Sequence, residues 1–150
     1  MSLAAALAAL ATAGCGSSTP VPTLAQFAER ANEICVDLTQ QQGAIGARPA
    51  LAETDQTAAD AQEWREIEAV SREADAKVQA LPRPPAETAT IAQLVAGYFQ
   101  EANDEHTLAD AYASGDAAAV RAADNRFITL ARRDAAVARS LGMTDCAKAQ

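Results

Sequence analysis

Four stretches of the chain bring apolar residues back every three and four positions, the spacing of one face of an α-helix. In the first, Leu24, Phe27, Ala28, Ala31, Ile34, Cys35 and Leu38 share a face that Glu29, Arg30, Glu33 and Asp37 avoid. Thr23-Leu24-Ala25-Gln26 is a capping-box pattern with Pro22 just outside, and Gly43, Gly46 and Pro49 close the stretch. The second starts between Pro49 and Thr57 and runs to Leu81. Its seam is Trp64, Ile67, Ser71, Ala74, Val78 and Leu81. Glu63, Glu66, Glu68, Glu73 and Asp75, set against Arg65, Arg72 and Lys77, read as its solvated faces. Trp64 reads as its core anchor. Leu81-Pro82-Arg83-Pro84-Pro85 is an extended elbow, because proline disfavours helix at the residue before it.

The third stretch runs from about Ala86 to Ala113, with Ile91, Leu94, Val95, Tyr98, Ala102, Ala109 and Tyr112 inward. Ser114-Gly115-Asp116 ends it and caps the fourth, a connection short enough to force antiparallel neighbours. The fourth extends to Leu141, facing inward with Val120, Ala123, Phe127, Leu130, Ala131, Val137, Ala138 and Leu141, and Gly142 follows as a stop signal. No stretch alternates like a strand. The expected fold is all-α, an up-down-up-down four-helix bundle over 23–150.

Composition supports that pattern. Hydrophobic residues make up 49% of the chain, more than half of them alanine, while aromatics are only 4%. Alanine is the best helix former and lets helices approach closely. A net charge of −8 argues against nucleic acid as a partner and against electrostatic adsorption to anionic lipid.

Residues 1–22 carry an address. Met1 to Ala13 is uncharged, Ala13-Gly14-Cys15 places small residues before a cysteine, and Gly16-Ser17-Ser18-Thr19-Pro20-Val21-Pro22 is tether-like. The expectation is a lipoprotein signal peptide over 1–14, with Cys15 as the lipidated residue and 15–22 as the tether. The alternative is an Ala-rich helix in a soluble protein. The basic residues that open such a signal are missing, since the first is Arg30, so the expectation is either a start upstream of Met1 or a trimmed sequence. Cys35 and Cys146 remain as a pair in a chain read as exported, where disulfides persist. In the bundle topology the C-terminus returns to the end where the first helix starts. A Cys35–Cys146 disulfide is therefore expected to clamp the tail and close the bundle; two unpaired small hydrophobes are the alternative.

Little points to catalysis. The chain has no Cys-x-x-Cys, no Gly-x-Ser-x-Gly and no phosphate-cradling glycine loop. A lone histidine, His106, excludes any site that needs two. No enzyme, cofactor or metal centre is expected. The informative positions are carboxylates that fall on apolar stripes. Ile91, Tyr98, Glu105 and Tyr112 recur every seven residues, as do Val120, Phe127, Asp134 and Leu141. An ionised carboxylate in a core must pair, protonate or reach water. An arginine of the fourth helix is the expected partner for Glu105, and the Tyr98 hydroxyl for Asp134. The plainer reading is that these are satisfied buried polar groups. The functional alternative is a polar pocket of Glu105, Asp134, Tyr98 and flanking His106 that takes a small ligand or a metal ion. His106 with Asp110 reads as a surface pair.

Taken in order, Ala13-Gly14-Cys15, Ala31-Asn32-Glu33-Ile34-Cys35, the Leu81–Pro85 elbow and Ala138-Arg139-Ser140-Leu141-Gly142-Met143-Thr144-Asp145-Cys146 resemble the small actinobacterial lipoproteins with a two-cysteine helical extracytoplasmic domain. That resemblance implies a membrane-attached, disulfide-closed bundle and no particular reaction. The expected function is a lipid-anchored binding or accessory module of the cell envelope. It would be held to the membrane through Cys15, with another envelope protein as its partner.

Overall fold

The computed structural model describes residues 20–47 and 56–149. Helix α1 spans Leu24–Gly46, α2 Gln56–Ala80, α3 Thr88–Ser114 and α4 Ala117–Ser140. Among the described residues there is no strand. The signal peptide expected over 1–14 and Cys15 lie outside them.

Local chemistry sets the ends of the helices. Thr23 Oγ1 accepts from the Gln26 amide at 3.2 Å, while the Thr23 amide donates to Gln26 Oε1 at 2.9 Å, so two amides that α1 leaves unpaired find partners. The proline elbow holds a 3-10 turn, Pro85–Glu87, before α3 begins two residues later than the sequence pattern suggests. Gly115 takes φ 69°, a left-handed conformation that ends α3 without Cβ strain. The Asp116 carboxylate then accepts from the amides of Ala118 at 2.8 Å and Ala119 at 3.0 Å to open α4.

The helices pack in chain order. The closest-knit pair is α2 with α3, followed by α3 with α4 and α1 with α2. Alanines at the crossings, among them Ala31, Ala61, Ala102, Ala109, Ala123 and Ala138, are fully or almost fully buried. Trp64 is half-buried and meets Phe127 of α4 edge-on, at 5.9 Å between ring centres.

The fourth side of the bundle is closed by the tail rather than by extended packing of α1 on α4. Gly142, at φ 79°, donates its amide to Arg139 O at 3.1 Å, and the Met143 amide donates to Ala138 O at 2.9 Å. This pair of bonds turns the chain off α4 and back toward α1. Asn32 of α1 holds the turn from both sides. Its Nδ2 donates to Gly142 O at 3.1 Å, and its Oδ1 accepts from the Asp145 amide at 2.9 Å. Met143 and Cys146 are sealed, and Cys146 is disulfide-bonded to Cys35. The bridge spans 111 positions of sequence, so it removes much of the freedom of the open chain, by the chain-entropy argument about 4–5 kcal/mol at most. The expected disulfide-closed, up-down-up-down bundle is the fold of the protein.

Candidate functional site

Acidic side chains concentrate in the interior. Asp75 of α2, Glu101, Asp104 and Glu105 of α3, and Asp134 of α4 are all buried. The stripe positions Glu105 and Asp134 are inward, as their seven-residue spacing implies. Asp75 corrects the expectation of a solvated face. It lies one turn after Ser71 on the seam, and close packing of α3 on α2 covers it. Glu101 and Asp104 flank the α3 stripe closely enough to be covered too. Asp104 keeps an outlet, with Arg126 Nε 3.7 Å from its Oδ1.

A cavity of about 30 Å³ lies where these residues meet. Ser71, Asp75, Tyr98, Glu101 and Glu105 supply its polar wall, and α1 contributes Leu38 and Gln42. Ser71 Oγ donates to Glu105 Oε1 at 3.0 Å and accepts from Gln42 Nε2 at 3.4 Å. Serine thus takes the place expected for an arginine of α4. Three buried oxygens in this group have no hydrogen-bond partner: Asp75 Oδ2, Tyr98 Oη and Glu105 Oε2.

The cost of burying charge appears in the titration of these groups. Burial pushes Asp75 from an ordinary 3.8 to about 7, against a weaker pull from the Arg72 charge. Glu105 rises from 4.5 to about 8, chiefly through burial, with the Ser71 bond opposing and the Asp75 charge adding to the rise. Glu101 is raised by burial and by its hydrogen bond and repulsion with Asp134. Burial also raises the Tyr98 phenol, helped by the negative charges of Glu101, Asp134 and Asp75. Burial thus favours the neutral forms of these carboxyls.

Asp134 does not line this cavity. It sits at the bottom of a shallow groove between α3 and α4, beside Gly97, Leu130 and Arg133. Its partner is the neighbouring Arg133, whose Nε and Nη2 donate to Oδ1 and Oδ2 at 2.7 and 3.1 Å. The Tyr98 hydroxyl, expected to hold Asp134, has no partner. Position 134 nevertheless faces position 97 across the α3–α4 hairpin. A Cβ at Gly97 would overlap the Asp134 carboxylate, so only glycine admits it there. His106 points away from the interior. It is exposed, with Nδ1 2.9 Å from Glu68 Oε2 and Nε2 3.5 Å from Asp110 Oδ2. Burial works to raise Glu68, but hydrogen bonds from Arg72 and His106 outweigh it and hold the carboxylate low.

The pocket anticipated from the sequence thus divides in three. Glu105 and Tyr98 stand on the cavity, Asp134 in the α3–α4 groove, and His106 on the surface between Glu68 and Asp110. Sequence reasoning missed Ser71 and Asp75 as cavity residues. The signal was present in a serine on the seam with an acid one turn later. A separate open groove of about 880 Å³ runs between α1 and the tail, with Leu24, Ala28 and Leu141 along it and Glu29, Glu33 and Asp145 among its polar residues.

Among the described residues no helix is long and apolar enough to cross a membrane. Compared with protein-family models, with curated proteins and with solved structures, the chain finds no match in any of the three.

Proposed function

We propose that the protein is a lipid-anchored, extracytoplasmic binding or accessory module of the cell envelope. The observation that carries this reading is the buried Cys35–Cys146 disulfide, which fastens the last segment to the first helix. Such bonds form and persist in oxidising compartments and are rare where thiols are kept reduced. The Ala13-Gly14-Cys15 pattern supplies the matching anchor, since two or more acyl chains on Cys15 hold a protein firmly to a bilayer. The groove between α1 and the tail offers an envelope partner an apolar floor with acidic side chains beside it. No catalytic step is assigned. Replacing Cys15 with Ala should move the protein from the membrane fraction to the soluble extracytoplasmic fraction. Retention of Cys15→Ala on the membrane would refute the anchor.

A second reading, a carrier with its cargo inside the bundle, is favoured by the three unpartnered oxygens on the cavity. At about 30 Å³ the cavity admits a water molecule or a single ion and no organic metabolite.

A further inference from the structure

Helices α1 and α4 share no extended seam, and the tail lies between them, fastened to α1 by Asn32 and by the Cys35–Cys146 bridge. Two open grooves border it. The groove on the α1 side, of about 880 Å³, presents Leu24, Ala25 and Val36 together with the carboxylates of Glu29 and Glu33. The groove on the α4 side, of about 360 Å³, presents Phe127, Ile128 and Ala147 together with the guanidinium groups of Arg132 and Arg139. Val36 and Ile128, one in each groove, are 42% and 37% exposed. Among the described residues the only other large hydrophobic side chain left so open is Val21, just ahead of α1. Glu29, Glu33, Arg132 and Arg139 are exposed, and among the described residues none of the four has an ion pair. Asp145, also on the α1 groove, is already matched by Lys148 at 2.8 Å.

We propose that this face docks a second copy of the chain about a two-fold axis parallel to the helices, with α1 of each protomer against α4 of the other. The proposal rests on the reading of the α1 groove as a docking surface and names its occupant. A two-fold interface brings one patch against itself, so its two halves must complement each other. Here one half is acidic and the other basic. Rotation about an axis parallel to the helices sets Glu29 and Glu33 against Arg132 and Arg139, twice over. Rotation about an axis across the helices would set acid on acid and base on base. Height along the bundle agrees. Gly142 meets α1 at Ala28 and Asn32, whose Nδ2 donates to its carbonyl at 3.1 Å. Arg139, one turn before Gly142, therefore stands at the Glu29 end of α1, and Arg132, two turns earlier on α4, stands toward Glu33 and Val36. The dock also takes Val36 and Ile128 out of water. Exposed ion pairs add little affinity, so the apolar side chains hold the dimer and the charges choose its orientation. Both α1 helices begin at the same end of such a dimer, as two anchors in one bilayer require.

Sedimentation equilibrium of the purified full chain, in a density-matched nonionic detergent, tests this with or without a lipid on Cys15. The chain should be dimeric at micromolar concentration in low salt, and its dissociation constant should rise about tenfold or more in 0.5 M salt. Glu29→Arg with Glu33→Arg, and separately Arg132→Glu with Arg139→Glu, should weaken the dimer at least about a hundredfold. All four positions are exposed, and unchanged helical circular dichroism checks that both variants fold. Mixed together, the two variants should form a heterodimer, because every reversed charge then meets its opposite. Glu73→Arg, on the exposed surface of α2, should leave the dimer intact. A wild type that stays monomeric in low salt would overturn the proposal. Dimers that survive either pair of reversals would overturn it by placing the interface on another face, and so would a mixture that fails to associate. None of these outcomes bears on the anchor, which the fractionation of Cys15→Ala decides.

Discussion

Glu105→Gln should stabilise the bundle, and should do so more strongly as the pH rises. The glutamine keeps the shape of the side chain and still accepts from Ser71 Oγ, whose present bond to Oε1 is 3.0 Å. It removes a group that the fold pushes from 4.5 to about 8. The direction follows from the protons bound. Between those two values the folded protein holds a proton on Glu105 that the unfolded chain has released. Each pH unit in that window then weakens the wild type by about 1.4 kcal/mol relative to a variant that cannot titrate. Below about pH 4.5 both states are protonated and the effect vanishes; above about pH 8 it levels off. The full span corresponds to about 5 kcal/mol as an upper figure, and half of that is a realistic expectation once the interior relaxes and Asp75 shares the load. Urea unfolding of both proteins at pH 5, 6.5 and 8, without added divalent ions, measures it. The gain should be below about 1 kcal/mol at pH 5 and about 2–4 kcal/mol at pH 8. A gain that does not change with pH, or a loss at every pH, would show that Glu105 is not held protonated by burial.

Two further substitutions test how the fold is held. Gly97→Ala adds a methyl that overlaps the Asp134 carboxylate and stands 2.6 Å from its Cγ. Helix propensity favours the change by about 1 kcal/mol, but overpacking opposes it by about 1–3 kcal/mol or more. Thermal unfolding should show a net loss, and Asp134→Ala in the same chain should recover much of it; no recovery would mean that the clash lies elsewhere. Asn32→Ala removes both bonds that tie the tail to α1, at 3.1 and 2.9 Å. It should cost about 1–3 kcal/mol in denaturant unfolding, with faster amide exchange confined to 142–147. Unchanged exchange there would assign the fastening to the disulfide alone.

Glu105 and Asp75 show where the sequence was legible and where it was not. Glu105 stands seven residues after Tyr98 on an apolar stripe, so its burial could be read from spacing. Asp75 stands one place after a seam alanine among charged neighbours, and only the closeness of α3 to α2 decides that it is covered. Likewise the register that sets Asp134 against position 97 could be counted from Gly115. That its partner is Arg133 depends on which rotamers fit between two packed helices. Nothing in the sequence pointed to the part Asn32 plays in holding the tail, because its two partners lie 110 and 113 residues away.

By itself, then, the sequence determined the four helices to within a few residues at their ends, and it made the Cys35–Cys146 pairing the expected one. Periodicity, capping residues and short connections act within a few positions, and the alternation of helix direction returns the tail to α1. Tertiary structure alone decided that the tail, rather than a fourth helix–helix seam, closes the bundle, and that Ser71, Asp75, Tyr98 and Glu105 border one small cavity. Those outcomes depend on how closely the helix backbones approach one another. In an alanine-rich interior it is backbone approach, and not the pattern of large side chains, that sets such distances.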